Sequence, residues 1–326
     1  MINNSFPVIW QKKVLGNNTR IDSYLAKNGL RTSRSRIKKL IESGNVLVNG
    51  KIVKPSYVVK DGDEIVVNYE PFEPAKAFPE NIPIDIIYED EDVLIVDKDK
   101  NMVVHPAKGH LTGTLVNAVL YHTQKLSDGT SGERPGVIHR LDKDTTGLII
   151  FAKNNYAHNI LSEQLSKREL FRRYLAVVWG VFPIDEGIID APLGRHQIFK
   201  EKMAVTPFGS KEAITKFKVI YRGKYASILI LELKTGRTHQ IRVHLSHLGF
   251  PVIGDPEYGG RNKNILQRIG IQYKEDFENI LSMIDRQALH AIMVKIIHPR
   301  TKKEVAFYSE LKDDMRVVIR YILRKD

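Results

Sequence analysis

The chain has 326 residues, 50 Lys and Arg against 38 Asp and Glu, a formal net charge of +12, and no cysteine. The missing cysteine excludes disulfides, thiolate nucleophiles and cysteine-ligated metal sites. The positive excess points to an anionic partner, nucleic acid or an anionic membrane surface. No run of about 18 apolar residues occurs and MINNSFPVIWQKK lacks the apolar core of a signal peptide, so a cytoplasmic chain with no membrane span is expected.

Charge is unevenly spread. Residues 1–69 hold 12 Lys/Arg and 5 Asp/Glu, a net of +7, so more than half of the charge sits in about a fifth of the chain. A helix is expected from Arg20 to Ala26, capped by Asp22 or Ser23 and stopped by Gly29. A second begins at Thr32 or Ser33. It places Ile37, Leu40 and Ile41 on one face, spreads Arg34, Arg36, Lys38 and Lys39 over the rest, and ends at Gly44. Short strands follow, with turns at Asn49-Gly50 and Asp61-Gly62. This front module, with Arg31 beside its second helix, is read as a small, basic α/β domain over 1–69.

Residues 70–83, EPFEPAKAFPENIP, hold four prolines and no clear periodicity, which suggests a linker. The second domain is read as 84–326. Two strands flank an acidic turn in IDIIYEDEDVLIVDKDK. A helix is expected over 115–126, strands at VIHRL and LIIFAK, and a helix in NNYAHNILSEQLSKREL. RRYLAVVWG, AITKFKVIY and ASILILELKT read as strands, VHLSHLG as helix. EVAFYSEL then precedes a basic C-terminal helix. Strands and helices do not alternate as a βαβ series. That favours an α+β class with a mixed, mainly antiparallel sheet and flanking helices.

Phosphate-loop, dinucleotide, HExxH and GxSxG signatures are absent. The most informative segment is PGVIHRLDKDTTGLIIFAK, 135–153. Asp142 stands at the end of an apolar run, flanked by Arg140 and Lys143, which favour its ionised form as nucleophile or base. A plain surface turn with a local ion pair fits the same residues. A second dense segment, 233–260, packs Arg237, His239, Arg242, His244 and His247 into eleven residues. Arginines there suit a carboxylate or phosphate. Three histidines also allow zinc, although their spacing matches no standard site. Tyr174, in a strand after two arginines, is either a half-buried strand residue or a platform for a displaced base.

Taken together, HRLDKDTTG, RRYLAVVWG, and TGRTHQIRVHL with GFPVIGDPEYG resemble the RluA/RluD-type pseudouridine synthase family, as do MVVHP, RQALHA and the His298-Pro299 pair. Residues 20–65 resemble the ribosomal-protein-S-four-type RNA-binding domain, and the order of the two matches the RluD-like branch. The resemblance implies isomerisation of uridine to pseudouridine in structured RNA, with large-subunit (23S) ribosomal RNA or the pre-ribosomal large subunit as partner. It implies Asp142 as nucleophile and Arg140 as the side chain that displaces or replaces the flipped base. Tyr174 would pack on the uracil and take or relay the C5 proton, and Arg242 would pair with Asp142. Arg31, Arg34, Arg36, Lys38 and Lys39 are the expected RNA contacts of the front module. The reaction moves the uracil from N1 to C5 on one sugar, so no cofactor, metal or protein partner is expected. A tRNA-directed synthase and a non-catalytic ribosome-assembly factor are the competing readings. One departure stands out: the family often has Lys-Pro-x-Gly before VVHP, whereas Lys98-Asp99-Lys100-Asn101 occurs here. A looser turn beside the site is the expected consequence.

Overall fold

The computed structural model describes residues 8–16, 18–28, 30, 34–69, 77–106, 110–123, 125–128 and 135–325. The chain divides into two compact units, Met1–Pro74 and Ala75–Asp326.

The first unit comprises β1 (Val8–Lys13), α1 (Ile21–Lys27), α2 (Arg34–Glu42), β2 (Val46–Val48), β3 (Lys51–Ile52) and β4 (Glu64–Tyr69). Its strands form an antiparallel sheet in the order β1-β4-β2-β3. The opening strand VIWQKK had no counterpart in the sequence reading, which began its elements at Arg20. Ile21, Tyr24 and Leu25 of α1 and Ile37 and Ile41 of α2 turn into one apolar core with Val46, Val48, Ile65 and Val67. Asn49 and Gly50 take positive φ values of 50° and 75°, as the two-residue hairpin between β2 and β3 requires. Gly44, at φ 76°, ends α2, with Asn45 N donating back to Leu40 O. The expected cap at Asp22 or Ser23 is corrected: Arg20 holds the N-cap position, and its side chain makes no capping bond. The first helical amide, Ile21 N, instead donates to Tyr57 O at 2.8 Å, so a distant segment does the work of a local cap. The proposed stop at Gly29 and start at Thr32 or Ser33 lie outside the described residues.

The second unit runs through β5 (Asp85–Glu89), β6 (Val93–Lys98), α3 (Leu115–Thr123), β7 (Thr146–Ala152), α4 (Asn155–Ser166), β8 (Phe171–Trp179), β9 (Glu186–Asp190), β10 (Leu193–Arg195) and β11 (Met203–Val205). It continues with β12 (Ile214–Arg222), β13 (Ala226–Leu233), α5 (Gln240–His247), α6 (Leu266–Ile269), α7 (Lys274–Met283), β14 (Leu289–Ile297), β15 (Glu304–Tyr308) and α8 (Asp313–Lys325). Nine strands form one sheet in the order β5-β6-β7-β14-β8-β13-β12-β9, with β15 paired to β14. Every pairing is antiparallel except β7 with β14, which run parallel over two residue pairs. The expected mixed, mainly antiparallel α+β architecture is the one observed.

The central strands explain their own sequence. β6 and β7 are buried at every position, and so residues 93–96 and 148–152 read as continuous apolar runs. β12 alternates buried and exposed residues because one face meets solvent. Trp179 anchors the core, fully buried, its indole N–H donating to Gly260 O at 2.8 Å. Residues 77–83 form no regular element; Asn117 of α3 holds them, Nδ2 donating to Phe78 O and its own carbonyl accepting from Glu80 N. Gly147 opens β7 at φ 105°, and a Cβ there would sit 2.4 Å from Ala291 O of β14. Only glycine lets the two parallel strands approach at that point, immediately after the loop that carries Asp142.

Candidate active site

Three segments separated by long stretches of chain meet at the ends of β7, β8 and β13. The loop 140–145 precedes β7, Tyr174 lies on β8, and α5 follows β13. Arg140, Asp142, Tyr174, His239 and Arg242 all line one narrow recess of about 40 Å³, which adjoins a larger cleft of about 580 Å³ also lined by Arg140 and Asp142.

Asp142 is mostly buried. Its Oδ2 accepts from Arg242 Nη1 at 3.2 Å, while Oδ1 has no hydrogen-bond partner among the described residues, His239 Nε2 standing 3.8 Å from it, beyond hydrogen-bond reach. One carboxylate oxygen is therefore held and the other is open to a substrate.

Arg242 is fixed far more tightly than a dedicated counterion of Asp142 would need to be. Nε and Nη2 donate to both oxygens of fully buried Asp255, at 2.7 and 2.9 Å, and Nη2 donates to Glu257 at 2.6 Å. Burial acts to lower the guanidinium pKa, but bonding to Asp255 and the charges of Asp142 and Glu257 outweigh it, so the net shift is upward. Asp255 in turn accepts the amides of Glu257 and Tyr258, which ties the GDPEYG turn to α5. The fork geometry thus aims the remaining amine, Nη1, at Asp142.

His239 takes φ 55° at the N-cap of α5 and its Nδ1 bonds the Tyr258 hydroxyl at 2.8 Å. Burial keeps its imidazole below the usual range in spite of Asp142 beside it, which favours the neutral ring. The second histidine of the cluster points elsewhere: His244 is fully buried between Thr215 Oγ1 and Ala191 O, each at 2.9 Å. Among the described residues no three His, Asp or Glu side chains are grouped to hold a metal ion.

Tyr174 is 3% exposed. Burial raises its phenol, with Arg172 opposing and Asp142 adding to the rise, so the hydroxyl stays protonated through the neutral range. Arg140 is exposed at the mouth of both cavities.

The Asp142 loop is clamped from below. Lys98, at the end of β6 and 1% exposed, donates to Asp99 O, Met102 O and Lys143 O at 2.7 to 3.0 Å. Burial pushes its ammonium down to about 7, against the pull of Asp144 and Asp142. Asn101 takes φ 60°, the left-handed conformation that the family's glycine would supply, and its amide donates to Asp144 Oδ1. The turn is therefore not loosened by the departure from Lys-Pro-x-Gly: asparagine tolerates the conformation, and Lys98 closes the turn. Arg286, held by Asp314 at 2.7 and 2.8 Å, donates to Asp144 O, and Gln287 donates to Thr145 Oγ1. Lys98, Arg286, Gln287, Asp255 and Glu257 were assigned no role from sequence. The RQALHA and GDPEYG motifs contain four of them, which was the available signal.

Two histidines near the loop are neutral by construction. His139 Nε2 accepts from Ile150 N, and His290 lies between Thr146 Oγ1 and Ser309 Oγ. Burial, with Arg172 near the first and Arg286 near the second, pushes both down to about 3. Their folded pKa is below the unfolded value of about 6.5, so their contribution is complete above that pH and is lost as pH falls towards 3. Each costs about 1.4 kcal/mol per pH unit in that window. Unfolding by denaturant at pH 5.5 is expected to show about 3 kcal/mol less stability than at pH 7.5. His290→Asn should reduce the pH dependence by about 1.4 kcal/mol over that interval; an unchanged pH dependence would contradict the assignment.

In the front module, Lys38 and Lys39 are exposed on α2, away from buried Ile37 and Ile41, and Lys38 pairs loosely with Glu42 at 3.6 Å. Arg31 and the side chains of Arg34 and Arg36 lie outside the described residues.

A clamped catalytic-type carboxylate on a mixed sheet, with an S-four-like unit ahead of it, defines the class. The chain belongs to the RNA pseudouridine synthase family: the RNA pseudouridylate synthase profile matches residues 92–247 and the S4 domain profile residues 19–65. It is 42% identical over 308 residues to the ribosomal large subunit pseudouridine synthase D of Escherichia coli (strain K12), covering 94% of this chain and 91% of that one. It is 43% identical over 300 residues, 92% and 93% of the two chains, to the uncharacterized RNA pseudouridine synthase YlyB of Bacillus subtilis. Among solved structures, human RNA pseudouridylate synthase domain containing 4 shares the fold at 21% identity and a TM-score of 0.53, over 73% of this chain and 93% of that one. The protein is thus an isomerase acting on RNA. Among the described residues, no helix is long and apolar enough to cross a membrane.

Proposed function

We propose that this enzyme converts specific uridines of large-subunit ribosomal RNA to pseudouridine, with Asp142 as the reacting carboxylate. The observation that carries the reading is the split environment of Asp142, which lines the recess: Oδ2 is held by Arg242, and Oδ1 has no hydrogen-bond partner among the described residues. The reaction breaks N1–C1′, turns the uracil and forms C5–C1′, moving the C5 proton off carbon and leaving N1 protonated. Asp142 Oδ1 serves the first half, at the sugar. Tyr174 forms the wall against which the ring turns. Its raised pKa makes it a poor base by itself, so its part in the last step is to relay the C5 proton through the hydroxyl rather than to act as a phenolate. Arg140, exposed at the mouth, fills the place of the extruded base, offsetting an unstacking cost of a few kcal/mol. The ribosomal target is supported by the 42% identity to the Escherichia coli ribosomal large subunit pseudouridine synthase D. The reading places the enzyme in the cytoplasm with that RNA.

The test is to incubate the purified protein with unmodified large-subunit ribosomal RNA and map pseudouridine by carbodiimide-dependent reverse-transcription stops. New stops made by the wild type and not by Asp142→Asn support both chemistry and target. Stops on transfer RNA alone would overturn the target, and none on either would overturn the reaction.

The basic front module, through Arg31, Arg34, Arg36, Lys38 and Lys39, anchors the RNA backbone. Removing Met1–Pro74 is expected to weaken RNA binding and flatten the slope of log K against log salt by about 0.7 to 0.9 per lost phosphate contact. A filter-binding titration across KCl concentrations measures it, and an unchanged slope would remove the module from the RNA contact.

A further inference from the structure

Arg172 and Tyr174 stand two residues apart on β8 and so share its inner face. Arg172 is only 5% exposed, and burial pulls its guanidinium down from the ordinary value. The other buried arginines of this unit have evident reasons to be there. Arg242 meets three carboxylates, and Arg286 forms a two-point pair with Asp314. Among the described residues Arg172 has neither an ion pair nor a hydrogen bond, and its Nε is sealed without a partner. Burying an unpaired guanidinium is costly, and proteins seldom keep one without a use for it.

Its surroundings say what the use is. Arg172 lines the cleft of about 580 Å³ that also reaches Asp142. The same cleft is lined by five cationic side chains against two carboxylates. Two of the cations, Arg168 and Lys234, are neutralised by Glu212 and Glu232. Of the two carboxylates, Asp142 is paired with Arg242 and Glu212 with Arg168. That leaves Arg140, Arg172 and Arg237 facing the space without a counterion among the described residues. Gly236 completes the shape: a Cβ there would lie 3.0 Å from Arg172 Nη1, so the bare backbone leaves room for the guanidinium at the cleft wall.

We propose that Arg172 is a substrate-binding residue whose partner is a backbone phosphodiester of the RNA, next to the uridine that reaches Asp142. The inference rests on the reading that Asp142 receives an RNA uridine. The fork of an arginine suits a phosphate oxygen pair. An anion in this cleft must belong to the strand held at Asp142, because both residues open onto the same space.

The test uses the full-length protein, an unmodified transcript of Escherichia coli large-subunit ribosomal RNA as probe, and the variants Arg172→Met and Arg172→Lys. Equilibrium binding is measured across a KCl series, with thermal unfolding of the free proteins alongside. Arg172→Met is expected to bind the transcript about 10- to 100-fold more weakly, with a salt slope lower by about 0.7 to 0.9. Arg172→Lys should keep the slope and lose less affinity. The free Arg172→Met protein should melt no lower than the wild type, since an unpaired buried charge has been removed. Weaker binding with an unchanged slope would overturn the proposal, because it would mean a contact to a base rather than to a phosphate. So would a lower melting temperature with unaltered RNA affinity, which would make Arg172 structural. Binding needs no turnover, so a wild-type enzyme that binds but makes no pseudouridine would sink the reaction assigned to Asp142, and the slopes would still judge Arg172.

Discussion

Asp142→Asn is expected to abolish pseudouridine formation, by at least about 10⁴-fold, the order of loss found when an enzyme's reacting side chain is removed. The substitution is nearly isosteric. The amide oxygen can still accept from Arg242 Nη1, which now donates to Asp142 at 3.2 Å. The anion at the recess disappears, and with it the group able to attack or deprotonate the sugar. Folding should survive, because Arg242 keeps Asp255 and Glu257 as counterions and only the longest of its three carboxylate contacts loses its charge. Thermal unfolding and RNA affinity should therefore remain close to those of the wild type while carbodiimide stops vanish. Residual activity above about 1% of the wild type would rule out Asp142 as the reacting group.

Arg242→Met is expected to produce the largest loss of stability. Among the described residues it removes the only cation bonded to Asp255, which has no solvent exposure, and leaves three carboxylates around an apolar side chain. Breaking a buried pair from one side costs about 3 to 5 kcal/mol. In a unit of this size that lowers the melting temperature by roughly 6 to 20 °C. The double variant Arg242→Met with Asp255→Asn should recover part of the stability, since the stranded buried charge is gone. It should not recover activity, since nothing then holds Asp142 Oδ2. Calorimetry and single-turnover pseudouridine assays separate the two effects. If the double variant regained both, Arg242 would be a structural residue with no part in placing Asp142.

Much of this was readable along the chain. The apolar runs of β6 and β7, the alternation of β12 and the Asn49-Gly50 hairpin follow from local periodicity and turn chemistry, which neighbouring residues determine among themselves. The motifs around Asp142, Tyr174 and Arg242 marked those residues, and the fold brings them to one recess. β1 escaped notice because six residues of modest apolarity become a strand only when β4 lies beside them. The N-cap of α1 was misassigned because the orphan amide is satisfied by Tyr57, far along the chain, and not by a neighbouring side chain.

The site shows the same division more sharply. The resemblance of the HRLDKDTTG and TGRTHQIRVHL motifs to a known family implied which carboxylate and which arginine would meet, across a separation of 100 residues. Only the tertiary structure decided that Arg242 is shared with Asp255 and Glu257, and that Lys98 and Arg286 clamp the loop beneath Asp142. Tertiary structure alone also leaves Arg172 buried with no partner among the described residues. The reason is physical. A helix or strand pattern records which side of an element is apolar, a property of residues two to four apart. Whether a buried charge is satisfied depends on which distant segment crosses it, and on an ångström or two of placement. No periodicity along the chain carries that information.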